Sequence, residues 1–389
     1  MPPNAVHATP AAPTSRARIN LRACSDRYAH RHGGHLSLSR AHEERPVTVS
    51  VLLAGSRVVV LAQRAARAYF RGMKFTFFTL AIFLAATFLT NTLAQAQKTS
   101  VTTFTYKKVG DLEIKLDVHR AADKKIRPLA VWIHGGALIN GGRQGIGPGR
   151  TLLAEGFVVV SIDYRLAPET KLPAIISDVE DAFKWIHKHG REKFQADASK
   201  IAVLGGSAGG HLTFSTGFRV QPPPTVLVAY WGYGDLIGDW YSKPNPHPNY
   251  QRATLTPAQM KAIEAGPPIA NARDRKGNGG AYYRTCRKRG IWPEKVSGFD
   301  ETDAKRFAPF MAAVNVSPKY PPTLMIHGTK DTDVPHEQSL IMTRQFKKHG
   351  VPHRLISIKG GEHGLRGGQP EAIRAAHAAM LPFVLKHMK

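Results

Sequence analysis

A serine between two glycines is the first candidate for chemistry in this 389-residue chain. Ser207 lies between Gly205 and Gly209, after the apolar run 201–204 and before a segment that suits a helix. A strand, a sharp turn and a helix in this order form a nucleophile elbow, where the backbone doubles back so tightly that glycine is needed on both sides of the serine. The turn also puts the amide of Ala208 at the helix N-terminus. Such a pentapeptide is by itself a weak signal, because its residue types are common in tight turns.

A glycine loop after another apolar run offers donors for an oxyanion. Residues 129–133 have the pattern of a buried strand, and the small-residue loop 134–137 follows directly. A loop that leaves a central strand on this side can point its backbone amides at the elbow. We therefore expect the amides of Gly135 and Gly136 to join that of Ala208 in an oxyanion hole.

Candidates for the acid and the base follow the later apolar runs. Asp331 follows the run 323–326 and is the predicted orienting acid, while Asp333 is the alternative and is expected to cap the following helix or turn. His363 lies in a glycine-rich loop after the run 354–358 and is the predicted general base. The chain has 18 histidines, and only position and loop type single this one out.

Five continuous apolar runs predict a parallel sheet covered on both faces. They are 129–133, 157–162, 201–204, 225–230 and 323–326, and 354–358 is predicted to be the last strand. The clearest helix between them, 173–188, has one apolar face, a proline in its first turn and Gly190 at its expected end. Residues 101–120 alternate and predict an antiparallel hairpin. The predicted fold class is α/β, a mostly parallel, doubly wound sheet that binds ligands at the carboxyl ends of its strands.

One stretch interrupts the alternation of strands and helices. Residues 238–318 contain prolines, aromatic residues and helix fragments such as 257–265, but no run typical of a strand. Because this stretch follows the run 225–230, we expect a cap above the strand ends, with a peripheral excursion as the alternative. Its aromatic residues are expected either to face the substrate or to form the core of the cap: Trp240, Tyr241, Tyr282, Tyr283 and Trp292.

The formal net charge of +26 raises the question of nucleic-acid binding. Residues 1–72 carry eleven arginines and three acidic residues, a surplus of +8 that lies outside the predicted domain. The remaining excess is scattered, apart from a cluster in 284–289, and no basic stripe interleaved with aromatic residues accompanies it. We interpret the charge as a basic solvated surface and expect no nucleic-acid partner.

Residues 73–96 have the layout of a secretory signal peptide. Met73 and a lysine precede an apolar stretch, and small residues lead to a cleavage site after Ala96. The stretch is short for a helix that spans a membrane. We expect translation to start at Met73, so that 1–72 is a non-native or disordered extension and 97–389 is an exported domain, periplasmic or secreted. An uncleaved signal anchor, which would keep the protein in contact with the membrane, is the alternative.

The cysteines and the loop histidines suggest no cofactor chemistry. Cleavage after residue 96 would remove Cys24 and leave Cys286 without a partner for an intramolecular disulfide. Basic neighbours favour a lowered pKa for the Cys286 thiol, but no histidine and asparagine pattern supports a catalytic thiol. His134 and His327 begin strand-end loops and lack a third ligand at suitable spacing, so no metal site is expected.

Five motifs in this order resemble the α/β-hydrolase superfamily, and its hormone-sensitive-lipase-like carboxylesterases most closely. The motifs are His134-Gly135-Gly136, Asp163 to Glu169, Gly205-Gly206-Ser207-Ala208-Gly209, His327 to Asp331 with Val334-Pro335, and His363-Gly364. The match covers about 101–389, and the five motifs together are specific. One departure is Ala137, where many of these esterases have a third glycine; it is expected to narrow the acyl side slightly. Arg165 and Glu169 resemble the family's structural ion-pair segment and receive no catalytic role.

The resemblance implies an α/β-hydrolase fold with a cap and a catalytic triad. Ser207 would be the nucleophile, His363 the general base and then acid, and Asp331 the acid that orients the histidine. The amide donors for the oxyanion would be Gly135, Gly136 and Ala208. Neither a metal nor an organic cofactor is required.

The predicted function is hydrolysis of carboxylic esters, of small acyl groups or of sugars, with a small-molecule ester as substrate. Peptidases of the prolyl-oligopeptidase kind share this domain, but they usually carry a large propeller for which 97–389 has no room. Ligand-binding proteins with this fold have lost a member of the triad, whereas all three members are present here. These remain the two alternatives.

Overall fold

The computed structural model describes residues 99–252 and 254–388. In these residues eight strands form one sheet: β1 (Thr99–Val109), β2 (Leu112–Ala121), β3 (Arg127–Ile133), β4 (Val158–Ile162), β5 (Ala196–Gly206), β6 (Val226–Tyr230), β7 (Thr323–Gly328) and β8 (His353–Ile358). Their spatial order is β1-β2-β4-β3-β5-β6-β7-β8. The β1–β2 and β2–β4 pairs are antiparallel, and the other neighbours are parallel. The predicted hairpin and mostly parallel sheet are confirmed.

Helices connect and follow the parallel strands. Outside residues 238–318 they are α1 (Gly149–Ala154), α2 (Leu172–Phe194), α3 (Ala208–Arg219), α11 (Glu337–Lys348), α12 (Pro370–Ala378) and α13 (Met380–His387). Residues 238–318, called the insertion below, contain the short helices α4 (Asp239–Ser242), α5 (Pro248–Gln251), α6 (Pro257–Glu264), α7 (Gly279–Arg289), α8 (Trp292–Ser297), α9 (Ala304–Phe307) and α10 (Ala312–Asn315). The described part of the insertion has no strand, as predicted.

Helix α2 is longer than the sequence suggested. Gly190, the expected end, is buried inside the helix, which continues to Phe194. A Cβ on Gly190 would lie 3.4 Å from the Phe194 ring, which is an ordinary contact distance, so the position packs against that ring inside the helix without requiring glycine. The end falls instead at Gln195, which has the left-handed φ of 49°. Burial of Phe194 in the core outweighs the local preference of glycine for a helix end.

Alternate residues of the central strands point into two separate cores. Val131 of β3 and Leu227 of β6 belong to the core that packs against α2, α3 and α11. Ala130 and Val228, their chain neighbours, belong to the core that packs against α12 and α13 on the other face. Because both faces are covered, every residue of β4 and of β6 is buried.

Two buried ion pairs hold the segment after β4. Arg165 binds Asp178 of α2, with Nε–Oδ2 and Nη2–Oδ1 distances of 2.7 and 2.8 Å. Glu169 binds Arg275 of the insertion through Nε–Oε1 and Nη2–Oε2 distances of 2.7 Å each, and both side chains are 3% exposed or less. Arg275 also donates to the carbonyl of Ala167. Arg165 and Glu169 therefore join two different ion pairs, one of which fastens the insertion to a strand-end loop.

No helix within 99–252 or 254–388 is long and apolar enough to cross a membrane. The predicted extension 1–72 and signal peptide 73–96 lie outside the described residues.

Candidate active site

Ser207 occupies the sharp turn between β5 and α3. Its φ and ψ are 58° and −124°, a conformation that L-residues rarely adopt. A Cβ on Gly205 would lie 2.2 Å from the carbonyl oxygen of Gly209, and a Cβ on Gly209 would lie 2.1 Å from that of Ile133. The Ser207 amide donates to the carbonyl of Tyr230 at 2.9 Å, which ties the turn to β6. The turn therefore has the geometry expected of an elbow, and both glycines are sterically required.

The structure brings Ser207, His363 and Asp331 into one hydrogen-bonded chain. His363 Nδ1 lies 2.9 Å from Asp331 Oδ2, and His363 Nε2 lies 3.1 Å from Ser207 Oγ. The three residues follow β5, β8 and β7, so three strand ends position them. The Asp331 side chain is fully buried, whereas that of His363 is 22% exposed. An imidazole that is held by a carboxylate and hydrogen-bonded to a hydroxyl can activate that hydroxyl as a nucleophile.

Asp331 and His363 shift each other's pKa. Burial raises the pKa of Asp331, but the hydrogen bonds from His327 and His363 outweigh burial and hold that pKa below its usual range. Burial lowers the pKa of His363, and this effect is overcome by the hydrogen bond to Asp331 and by the charge of Asp333, so the net pKa is raised. The site can therefore stabilise a protonated His363 beside Ser207.

The second oxygen of the Asp331 carboxylate fixes the loop after β7. Oδ1 accepts hydrogen bonds from the amides of Asp333 and Val334, both at 2.9 Å. His327 supports the same loop, since its Nε2 donates to the carbonyl of Val334 at 2.9 Å and its Nδ1 lies 2.7 Å from Ser339 Oγ.

The described residues contain no group of three or more histidine, cysteine, aspartate or glutamate side chains that could hold a metal ion.

The glycine loop after β3 lies against the elbow. A Cβ on Gly135 would come within 3.3 Å of Ser207 Cβ, and Gly136 has a φ of 113°, where a Cβ would collide with the carbonyl of Asn140. In the described part of the chain, neither glycine donates its amide to a loop or turn carbonyl. Ala208 is the first residue of α3, so its amide has no acceptor within the helix. The three amides named from the sequence are therefore available to an oxyanion.

Side chains from two directions support the same loop. His134 is buried and stacks on Tyr164 with ring centroids 4.3 Å apart, and its Nδ1 donates to the carbonyl of Gly135 at 2.8 Å. Burial lowers the pKa of His134 to about 4, so the ring is neutral. Ala137 has a left-handed φ of 58°, and its carbonyl accepts from Trp292 Nε1 of the insertion at 3.2 Å. The insertion thus touches the oxyanion loop directly.

Asp333 does not cap a helix or turn, and that expectation is wrong. The backbone amides of Asp333 and Val334 donate to Asp331 instead. The Asp333 carboxylate points into the insertion. Its Oδ1 accepts from the hydroxyls of Tyr250, at 2.6 Å, and Tyr283, and from Nη1 of Arg287 at 2.8 Å. Its Oδ2 lies 3.6 Å from Nε2 of His363. The insertion therefore holds a second carboxylate next to the candidate base.

The guanidinium of Arg287 is enclosed by the insertion, and its side chain is 1% exposed. Four aromatic rings surround it with centroid distances of 4.7–5.7 Å: Trp240, Tyr241, Tyr250 and Tyr283. The solvated surface predicted for the basic cluster in 284–289 applies to Lys288 and Arg289, which are exposed, but is wrong for Arg287. A signal was present in the sequence, because Tyr283 and Arg287 are four residues apart and share one face of α7.

The other aromatic residues of the insertion mostly form its core. Tyr241, Tyr282 and Trp292 are 1% exposed or less, whereas Tyr283 reaches a cavity. Cys286 is buried with them, and burial raises the pKa of its thiol to about 12. The lowered thiol pKa that its basic neighbours suggested is therefore wrong.

A cavity of about 570 Å³ opens beside His363. Its lining residues are His247, Asn249, Tyr250, Gly280, Tyr283, Arg284, Thr332, Asp333, Glu362, His363, Arg366 and Gly367. They come from the insertion and from the loops after β7 and β8. Neither Ser207 nor the oxyanion candidates line it, so the cavity lies on the side of the base.

Comparison with known families agrees with this geometry. A family model described as the alpha/beta hydrolase fold matches residues 130–366, which is more than half of the chain. The chain belongs to the α/β-hydrolase family. The resemblance inferred from the five motifs, to the hormone-sensitive-lipase-like family within it, is confirmed.

Solved structures share the fold of this α/β hydrolase. A protein of unknown function from Staphylococcus aureus subsp. aureus Mu50 is 21% identical with a TM-score of 0.59, and the match covers 74% of this chain and 100% of that one. Esterase 2 of Thermogutta terrifontis, phosphoramylated by tabun, is 19% identical with a TM-score of 0.51, over 74% and 94% of the two chains. The bifunctional GH43-CE of Bacteroides eggerthii is 21% identical with a TM-score of 0.53, over 74% and 38%.

Curated relatives of this α/β hydrolase include much larger proteins. The non-reducing polyketide synthase Preu6 of Preussia isomera is 28% identical over 298 residues, which is 68% of this chain and 14% of the synthase. The synthase Preu3 of the same organism is 25% identical, over 68% of this chain and 12% of the synthase. The α/β hydrolase therefore matches a small part of each of these synthases.

Proposed function

We propose that this α/β hydrolase is a serine carboxylesterase that cleaves small-molecule esters through an acyl-enzyme. The observation that carries the proposal is the continuous path from Asp331 through His363 to Ser207, with distances of 2.9 and 3.1 Å. The name of the structurally similar Thermogutta terrifontis protein, an esterase, is in keeping with it.

In the first half of the proposed reaction, Ser207 Oγ attacks the carbonyl carbon of the ester and passes its proton to Nε2 of His363. The negative charge moves to the carbonyl oxygen, where the amides of the elbow and the glycine loop, Gly135, Gly136 and Ala208, donate to it. Asp331 accepts from Nδ1 and stabilises the imidazolium. When the tetrahedral intermediate collapses, the bond to the alcohol oxygen breaks, and that oxygen takes the proton from Nε2.

In the second half, water replaces the alcohol. Nε2 of His363 takes a proton from the water as its oxygen attacks the acyl carbon, and the proton returns to Oγ of Ser207 as the acid leaves. One ester and one water give one acid and one alcohol, and the protein is unchanged. The groups described above supply every proton transfer.

A fluorophosphonate probe and p-nitrophenyl acetate test the proposal. The wild-type protein should be labelled at Ser207 and should hydrolyse the ester, and Ser207→Ala should abolish labelling and lower kcat by about 10⁴-fold or more. Ser199→Ala, at an exposed serine of β5, is the matched control and should behave like the wild type. Labelling elsewhere, or equal turnover by Ser207→Ala, would exclude the esterase function.

The same experiment addresses the two alternatives. A ligand-binding protein would show neither labelling nor turnover. A peptidase would be labelled at Ser207 and would cleave a peptide amide as well as the ester of the same acyl group, whereas an esterase would leave the amide intact. A comparison of matched ester and amide substrates therefore separates the peptidase from the esterase.

We also propose that the protein is exported, on the basis of the signal-like segment 73–96. N-terminal sequencing of the protein from its native cells should begin at Gln97. Peptides from before Met73 would contradict both the start site and the cleavage.

A further inference from the structure

The cavity beside His363 receives the alcohol portion of an ester, if the reaction proceeds as proposed. His363 Nε2 must donate its proton to the leaving oxygen, so that oxygen has to lie within hydrogen-bonding distance of Nε2. The acyl carbon has to lie at Ser207 Oγ and the oxyanion at the glycine loop, and neither lines the cavity. The groups that line the cavity near Nε2 therefore face the alcohol.

Asp333 lines the cavity and has a carboxylate oxygen 3.6 Å from His363 Nε2, close to where the leaving oxygen must lie. Its Oδ1 is held by three donors, the hydroxyls of Tyr250 and Tyr283 and the guanidinium of Arg287. Its Oδ2 receives no hydrogen bond from any residue that the structure describes, and the 3.6 Å to His363 Nε2 is too long for one. One oxygen is thus fixed by the insertion while the other remains open to a ligand.

The support behind Asp333 is rigid. Arg287 is 1% exposed and lies between aromatic rings, and its Nη1 also donates to the backbone carbonyl of Asp333 at 3.0 Å. The Asp333 side chain is 22% exposed, so part of it faces the cavity. An acceptor that is held in place loses little freedom when a donor binds, which favours its use in selecting a substrate.

The charges around the cavity indicate what kind of donor fits. Arg284 and Arg366 line the same cavity as Asp333 and Glu362, so the formal charges of these four side chains balance and give no net attraction for a cationic alcohol. A neutral hydroxyl needs no net charge in the cavity to donate a hydrogen bond to a carboxylate. The amide group of Asn249, which also lines the cavity, suits a further hydroxyl of the alcohol.

We propose that Asp333 determines specificity for the leaving alcohol: its Oδ2 accepts a hydrogen bond from a hydroxyl on the carbon next to the one that bears the ester oxygen. The substrate class would be partial esters of diols, polyols or sugars with a free neighbouring hydroxyl. This inference rests on the proposed esterase function and adds the chemistry of the alcohol to it.

Two acetates of similar size test the inference. 2-Hydroxyethyl acetate carries the donor, and 2-methoxyethyl acetate replaces it with an ether. The wild-type kcat/KM should favour the hydroxyl ester by about 10- to 100-fold, the range for a hydrogen bond to a charged group. The ratio should fall to near one in Asp333→Ala and to an intermediate value in Asp333→Asn. We compare the ratio of the two kcat/KM values because a general effect on His363 or on folding would change kcat/KM for both esters by the same factor.

Controls separate this role from others in the same cavity. Glu362→Gln tests the other carboxylate of the cavity, and a ratio that falls in this variant but not in Asp333→Ala would overturn the inference. Asp300→Asn, at an exposed aspartate outside the cavity that bonds to Thr302, should leave the ratio at its wild-type value. Acetylcholine and its neutral isostere 3,3-dimethylbutyl acetate test the cationic alternative, and the wild type should not favour acetylcholine.

Three results would overturn the inference: a wild-type ratio near one, hydrolysis of neither acetate, or an unchanged ratio in Asp333→Ala. A strong preference for acetylcholine that Asp333→Ala removes would assign the carboxylate to ammonium binding instead. A wild-type ratio near one would overturn the inference even if the variants failed to fold. Failure of the esterase function is distinct, because Ser207 would then show neither probe labelling nor turnover of p-nitrophenyl acetate.

Discussion

Asp333 places a carboxylate oxygen 3.6 Å from Nε2 of His363, on the side of the ring that faces Ser207. Asp331 holds the opposite nitrogen, Nδ1, at 2.9 Å. The imidazole therefore lies between two carboxylates that belong to one loop and are two residues apart. The two have different supports, because Asp331 is anchored by its own loop and Asp333 by the insertion.

The position of Asp333 predicts a change in the pH profile. A general base must be neutral, and the pKa of His363 is raised above its usual 6.5, so the acid limb of kcat/KM should have its midpoint above pH 6.5. Asp333→Asn removes a charge that stabilises the imidazolium, so it should move this limb to lower pH. Glu362→Gln is the control and should leave the limb near its wild-type position. An unmoved limb in Asp333→Asn would contradict the electrostatic role.

Asp331→Asn tests which aspartate orients the histidine. The amide cannot stabilise the imidazolium and favours the wrong tautomer, so kcat should fall by about 10³- to 10⁴-fold with p-nitrophenyl acetate. Asp300→Asn, a matched change at an exposed aspartate that bonds to Thr302, should leave kcat unchanged. A loss of less than about tenfold in Asp331→Asn would transfer the orienting role to another acid.

Gly209→Ala should damage both stability and activity. Its Cβ would lie 2.1 Å from the carbonyl oxygen of Ile133 and 2.7 Å from that of His134, so the strand end and the oxyanion loop must move. We expect a loss of about 1–3 kcal/mol in the free energy of unfolding and of about 10²-fold in kcat/KM. Urea denaturation and ester hydrolysis measure these. Gly145→Ala is the control, because a Cβ there meets nothing within 4 Å; equal behaviour of the two variants would refute the steric argument.

The ion pair between Arg275 and Glu169 should contribute strongly to stability. Arg275→Met leaves a buried carboxylate without its partner, and we expect the free energy of unfolding to fall by about 3–5 kcal/mol. Arg374→Met breaks an exposed pair with Glu371, whose side chains are 68% and 77% exposed, and should cost less than about 1 kcal/mol. Urea denaturation of the two variants decides between them. Similar losses in the free energy of unfolding for the two variants would mean that burial does not strengthen the pair between Arg275 and Glu169.

Much of the fold followed from patterns that are local in the sequence. The continuous apolar runs, the alternating hairpin and the glycine-flanked Ser207 each reflect a physical requirement of one short segment. Asp331 and His363 could be placed because parallel strands end at the same edge of the sheet, so position after a strand also implies position in space.

The errors have a common cause, which is dependence on distant residues. Gly190 stays inside α2 because Phe194 packs into a core built from other elements. The pKa of Cys286 is set by burial rather than by its charged neighbours in sequence. Arg287 is buried because aromatic side chains from α4, α5 and α7 converge on it, and Asp333 points toward it for the same reason. Within α7 the spacing of Tyr283 and Arg287 indicates one of these contacts, but no pattern within a single segment shows that rings from α4 and α5 meet the same guanidinium.

The attachment of Asp333 to the insertion has a consequence for protein engineering. If the insertion were exchanged for that of another α/β hydrolase, Arg287 and its aromatic enclosure would leave with it, while Asp331, His363 and Ser207 would keep the partners that the sheet provides. A chimera whose new insertion replaced the contacts of Arg275 and Trp292 with the strand-end loops would retain the proposed acylation chemistry and acquire a different preference for the leaving alcohol. Asp333 is thus the residue at which the insertion meets the candidate base.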